Sequence, residues 1–159
     1  MPIETLRHAF AVAAPPQTVH AHLADPHSYV GLSPLVVAVR DVRPVRDAQG
    51  RDAIGYVAVE RFRFGPLRWD NPIAVTLRAA GPALVSTVVS PGRVRLVATV
   101  ELAPRDAGTQ VTETVEVRCP GALRALVLRQ ARSVQLRRAA ELARRMSSPG
   151  AGDAAECPA

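Results

Sequence analysis

The chain has 159 residues, of which 48% are hydrophobic and 21% charged, enough to bury one sizeable core and too short for two large domains. It holds no run of about eighteen apolar residues and no charged-then-apolar leader, so neither a membrane span nor a signal peptide is expected and the location reads as cytoplasmic. The formal charge of +6 comes from 20 basic residues, every one of them arginine, a usage that with abundant Ala and Val looks like that of a GC-rich bacterial genome.

Leu6, His8, Phe10 and Val12 share one face of residues 6 to 13, and Arg7, Ala9, Ala11 and Ala13 share the other, which predicts a strand with a histidine on its apolar side. Ala14-Pro15-Pro16 ends it, and "PQTVHAHLAD" places Val19 and Leu23 four apart, as a helix face requires. A second short helix or turn is expected in "DPHSYVGLSP", capped by Asp25 and closed by Pro34. Six strand-forming stretches follow, at about 35 to 46, 52 to 64, 68 to 80, 83 to 90, 93 to 103 and 109 to 118. The separators "DAQGRD", "FGPL", "AAGPA", "SPGR" and "PRDAG" each hold Gly or Pro at the short spacing of antiparallel hairpins. From 121 to 146 there is no Gly or Pro after Gly121, and the Ala, Leu and Arg there predict one long helix. Residues 147 to 159 are small and polar and read as a disordered tail, which leaves 1 to 146 as the domain.

Alternation within the strands predicts which side chains face the core. In the third strand Ile54, Tyr56, Ala58, Glu60, Phe62 and Phe64 share a parity, and in the fourth Trp69, Asn71, Ile73, Val75 and Leu77 do. Val94, Leu96, Ala98, Val100 and Leu102 form an apolar inner face in the sixth, and Val111, Glu113, Val115 and Val117 that of the seventh. Two acids, Glu60 and Glu113, therefore point inward, where an unpaired charge is costly. The final helix carries Leu123, Val127, Ala131 and Val134 along one stripe, with Gln130, Arg138 and Glu141 beside it.

One strand, two short helices, six antiparallel strands and a long last helix make an α+β pattern in which the helix must cover the sheet's apolar face. That order, with "FAVAAPPQTVHAHLAD", "GTQVTETVEV" and the helix after "CPGALRALV", resembles the START-like (SRPBCC) helix-grip superfamily, which includes polyketide cyclases and dehydrases, lipid-transfer proteins and coenzyme-Q-binding proteins. The likeness covers residues 4 to 146 and rests on the "V-x-A-P-x-x-x-V" opening and the "G-T-x-V" strand. Many relatives have an aromatic, often Trp, after the helix valine, where this chain has His20, and no cyclase catalytic residue is matched position by position. The resemblance implies a seven-stranded antiparallel curved sheet wrapped around the long C-terminal helix, with a deep apolar cavity between them.

The resemblance also makes the first and last strands antiparallel neighbours, so His8 and Glu113 are expected to lie opposite or diagonal to each other. They are then a mutually satisfying buried pair, or a bulge carries one of them into water, or they form a proton-relaying couple on the cavity wall. Glu60 is the third candidate for proton chemistry, its bland reading being an ion pair with an arginine of the last helix. Tyr56, Phe62, Trp69, Asn71 and Gln130 are the candidate ligand contacts, although buried aromatics are more often simple core. His20, His22 and His27 lack ligand spacing, and the two cysteines, Cys119 and Cys157, read as free thiols, so no metal, cofactor or disulfide is expected.

Two functions fit these residues. The first is binding of an apolar small molecule, as a polyketide cyclase or dehydrase or as a carrier of lipid or isoprenoid. The second is docking to ribosome, RNA or an acidic protein through outward arginines such as Arg61, Arg63, Arg78, Arg93 and Arg95. No DNA partner is expected, because the arginines are scattered among acids and aromatics make up only 4% of the chain, leaving few platforms for stacking bases. The oligomeric state is not readable from the sequence.

Overall fold

A computed structural model describes residues 2–147. Strand β1 (Glu4–Val12) leads into helix α1 (Pro16–Ala24), a 3₁₀ turn (Pro26–Ser28) and the short turn α2 (Tyr29–Leu32). The strands β2 (Val36–Arg46), β3 (Asp52–Phe64), β4 (Leu67–Ala80), β5 (Ala83–Ser90), β6 (Val94–Arg105) and β7 (Gly108–Arg118) follow. A 3₁₀ turn at Gly121–Leu123 opens α3 (Arg124–Ser147). The fold class is the expected one: a seven-stranded antiparallel sheet in the order β1-β7-β6-β5-β4-β3-β2, gripping a long terminal helix. The expected tail and Cys157 lie outside the described residues.

Strand ends follow pairing more closely than local composition. β1 begins at Glu4, opposite Val117 of β7, and stops at Val12 opposite Thr109, two residues earlier at its start than the alternation of its apolar face suggests. Two hairpins, β3–β4 and β4–β5, close on a Gly-Pro loop. Gly65 at φ +58 and Gly81 at φ +60 supply the left-handed first position that such tight turns need, and the prolines after them fix φ negative at the second. At the other end of the sheet, a Cβ on Gly108 would stand 2.1 Å from the carbonyl oxygen of Val12. Only glycine lets β7 start this close to the end of β1.

The core divides into two clusters. One gathers Val12, Val19, Leu23, Leu32, Val36, Tyr56, Leu84 and Leu142, where α1, α2 and the end of α3 meet the sheet. The other holds Val115, Val117 and Cys119, a free buried thiol, packed against Leu6, Leu96, Val127 and Ala131 near the start of α3. Gln135 has no exposed surface, and its side-chain amide donates to the carbonyls of Leu6 and Glu113 at 3.4 and 3.3 Å. This ties α3 across the β1–β7 seam by hydrogen bonds whose loss from a buried place would cost about 1–3 kcal/mol. At the far end Arg145 donates to the carbonyls of Ser28 and Val30, at 2.6 and 3.0 Å, and so clamps the α1–α2 segment onto α3.

No helix among the described residues is long and apolar enough to cross a membrane.

Candidate functional site

Between the concave face of the sheet and α3 lies a cavity of about 490 Å³, within the range of roughly 300–1,000 Å³ usual for small-molecule sites. Strand alternation builds it. Tyr56, Ala58, Glu60 and Phe62 reach it from β3, and Trp69, Ile73 and Val75 from β4. Val94 to Val100 of β6 contribute at every second position, as do Val111 to Val115 of β7. The helix closes it with Val127, Gln130, Ala131, Val134 and Arg138. The walls are mostly apolar, with polar groups gathered in two places.

At one end sits a charged pair. Arg138 donates to the carboxylate of Glu113 and, at 3.2 Å, to the hydroxyl of Ser33. The Glu113 side chain is only 5% exposed and that of Arg138 22%. Burial works against the charge on Arg138, but the neighbouring Glu113 outweighs it and holds the guanidinium pKa above its ordinary value. Tyr29 stacks 6.5 Å from Tyr56 and donates its hydroxyl to the carbonyl of Leu23 at 2.8 Å, with Ser86 nearby. Burial pushes the Tyr29 phenol up to about 12 and the Tyr56 phenol up as well, so both stay neutral near pH 7.

At the other end Glu60 lies opposite Asn71 in the β3–β4 ladder. Burial raises the Glu60 pKa above its ordinary value, against the smaller opposing pull of the Asn71 side chain. Here too Phe62 stacks on Trp69, with ring centroids 5.6 Å apart. Trp69 is 51% exposed and Leu126 of α3 57%, and both line the cavity; this end is its mouth.

The site residues expected from sequence fall into two groups. Glu113, Glu60, Tyr56, Phe62, Trp69 and Gln130 line the cavity; His8 and Asn71 do not. His8 stands directly opposite Glu113 in the β1–β7 register, but the carboxylate turns to Arg138 instead, because a guanidinium reaching down from α3 offers a full charge and several donors. The His8 ring stacks on Phe10 at 5.6 Å, and Phe10 takes the place on the cavity wall. The expected His8–Glu113 couple is thus replaced by Arg138–Glu113. Among the described residues no arginine pairs with Glu60 as anticipated; Asn71, outside the wall, is the neighbour whose side chain eases its charge. Glu141, placed beside the cavity stripe by its spacing, instead pairs with Arg144 and Arg145.

Sequence reasoning missed Tyr29, Ser33 and Ser86, which stand on a short turn and a strand without marked alternation. Arg138 was legible in part: it follows Val134 by four residues on the inward stripe, where only an inward acid could satisfy it. Of the arginines proposed for docking, Arg61 is held by Asp70 at 2.8 and 3.0 Å and Arg78 lies 3.3 Å from Asp47. Among the described residues no three His, Cys, Asp or Glu side chains gather in a way that could hold a metal ion.

A family model described as "Polyketide cyclase / dehydrase and lipid transport" matches residues 4–147. Among solved structures, a START superfamily protein from Mycobacterium smegmatis is 11% identical, with TM-score 0.66 over 90% of this chain and 99% of that one. An aromatase/cyclase from a Streptomyces species is 19% identical, with TM-score 0.59 over 94% of this chain and 99% of the other. A di-domain aromatase/cyclase from the steffimycin biosynthetic pathway is 9% identical, with TM-score 0.67 over 91% of this chain and 50% of that chain. At such identities the likeness is one of fold. No curated protein matches the sequence.

Proposed function

The chain belongs to the polyketide cyclase / dehydrase and lipid transport family, and from that premise we propose that it binds an apolar small molecule in the cavity between sheet and α3. One observation carries the reading: a cavity of about 490 Å³ whose long walls are Val, Leu, Ile and Ala, with hydrogen-bonding groups confined to its ends. A ligand with an apolar body and oxygen functions at its extremities matches that distribution. Tyr29, Tyr56 and Ser86 offer neutral hydroxyls at the inner end, and the Arg138–Glu113 pair fixes the polarity there. At the mouth Glu60, with its raised pKa, holds a proton at higher pH than a surface glutamate does, and it is the residue proposed to give or take one during a cyclisation or dehydration. Shape and exclusion of water do the remaining work by holding a reactive chain folded.

Carriage of a lipid or isoprenoid uses the same walls without Glu60 chemistry. Docking to RNA or to an acidic protein through the sheet arginines has less support, since Arg61 and Arg78 are already committed to Asp70 and Asp47.

The test is native mass spectrometry of freshly purified protein for a retained apolar ligand, beside titration with an apolar fluorescent dye. Retained ligand or saturable dye binding that falls several-fold, by about a kcal/mol, in Trp69→Ala is the expected result. No ligand and no saturable dye binding overturns the reading. Once the ligand is known, Glu60→Gln separates the roles: turnover lost with binding kept marks an enzyme, and a ligand recovered unchanged from wild type marks a carrier.

A further inference from the structure

The mouth of the cavity carries a feature that ligand binding does not explain. Phe64 is 76% exposed, Leu67 63%, Trp69 51% and Leu126 57%. Phe64 and Leu67 face each other across the tip of the β3–β4 hairpin, one step beyond the Phe62–Trp69 pair, so all four hairpin side chains lie on the concave face. Among the described residues nothing covers Phe64 or Leu67 at the tip. With Trp69 they make a contiguous apolar strip along the hairpin rather than scattered single residues, which is the pattern that marks an interaction surface, and Leu126 stands on α3 at the same mouth.

The charge around this rim is predominantly positive, although Glu60 and Asp70 flank the hairpin tip. The segments that frame the mouth, Arg61 to Trp69, Ser90 to Val94 and Gly121 to Gln130, contain six arginines and no Asp or Glu. Arg61 is paired with Asp70, whose charge Arg68 also feels, and Arg124 with Glu4; Arg63, Arg68, Arg93 and Arg129 are all exposed and together exceed the acid charge at this end. Arg63 and Arg68 are direct cross-strand partners on the opposite, convex face of the same hairpin tip, an arrangement that like charges disfavour in isolation and an anionic surface around the tip would relieve.

We propose that the mouth docks on an anionic lipid surface, with Phe64, Leu67, Trp69 and Leu126 entering the interface and the flanking arginines meeting headgroup phosphates. An apolar hairpin tip with cations on its other face and on neighbouring segments suits the boundary between acyl chains and headgroups. A second copy of the chain fits less well, because a twofold contact through this rim would set arginines against arginines. RNA or an acidic protein would satisfy the arginines but give Phe64 and Leu67 no apolar phase. Docked in this way, the cavity opens toward the membrane, and an apolar molecule would pass between the two without crossing water. The docking itself does not depend on what fills the cavity.

Trp69 is the only tryptophan in the chain and reports on the rim directly. The purified protein is mixed with vesicles of phosphatidylcholine alone or containing about a third phosphatidylglycerol, then sedimented, and tryptophan emission is recorded with and without brominated acyl chains. Sedimentation with the anionic vesicles, a shift of emission to shorter wavelength and quenching by bromine are the expected results. The surface variants Phe64→Ser/Leu67→Ser and Arg63→Glu/Arg68→Glu should each weaken partitioning about tenfold or more, while Arg137→Glu, elsewhere on α3, leaves it unchanged. Failure to sediment with either vesicle overturns the proposal, as does undiminished partitioning of Phe64→Ser/Leu67→Ser. An emission shift without sedimentation also refutes it, since that means lipid lifted into the cavity without docking. A concentration-dependent dimer in light scattering, dissolved by the same double variant, would assign the rim to a second copy instead. None of these outcomes touches dye binding in the cavity, so docking and ligand binding stand or fall separately.

Discussion

Removing either member of the Arg138–Glu113 pair should destabilise the protein, and by unequal amounts. In Arg138→Leu the Glu113 carboxylate, 5% exposed, loses the guanidinium that satisfies it. Orphaning one partner of a buried pair costs about 3–5 kcal/mol, and little solvent is available here to soften that. In Glu113→Leu the guanidinium keeps its bond to Ser33 at 3.2 Å and retains 22% exposure, so the loss should be nearer 2 kcal/mol. The double variant places apolar side chains against an already apolar cavity and should fall within about 1–2 kcal/mol of wild type. A double-mutant cycle by urea unfolding, followed by circular dichroism, then gives a coupling of at least about 2 kcal/mol. Single losses that add within about half a kcal/mol would show that the two residues do not interact and refute the pairing.

His22 is pulled below its ordinary pKa of 6.5 by burial and then by Arg145; the unfolded chain therefore takes up a proton first as pH falls through 6.5, and stability held above that value declines toward the lower folded pKa. His22→Gln should lose less stability than wild type between pH 7.5 and 5.5 in thermal melts, and identical losses would disprove the link. Glu60 has the opposite sign: its folded pKa lies above 4.5, so its contribution is full below that value and fades as pH rises through the folded pKa. Glu60→Gln should gain on wild type across that window in denaturant midpoints, and a constant difference between the two would show that Glu60 does not titrate as its burial requires. In Gly108→Ala the new Cβ meets the Val12 carbonyl at 2.1 Å, which should cost on the order of 3 kcal/mol by distortion of the β1–β7 seam. An unchanged unfolding midpoint would mean that the strands do not approach so closely there.

Much of this architecture was legible in the residues themselves. Alternation assigned the inner faces of β3, β4, β6 and β7 because side chains on a strand point to opposite sides by geometry alone, whatever the strand pairs with. Glycine and proline marked the hairpins because few other residues adopt their turn conformations. The absence of both after Gly121 marked α3. From these patterns came the order of strands and helices and the shared inner face of Tyr56, Glu60, Phe62 and Trp69, while the wrapped sheet and the cavity followed from the resemblance to the START-like superfamily. What alternation does not encode is the distance between elements far apart in the chain. The resemblance placed His8 and Glu113 opposite or diagonal to each other, and they stand opposite, yet Arg138, 25 residues beyond Glu113, won the carboxylate because the path of α3 over the sheet brings its guanidinium there. The same path leaves Phe64 and Leu67 bare: the inward parity of Phe64 reads as core and Leu67 as part of the turn, but α3 begins too far back to cover the hairpin tip on which both stand. Parity is a local property of the backbone, whereas pairing of charges and coverage of apolar faces depend on where a distant helix comes to rest, and only the tertiary structure decides that.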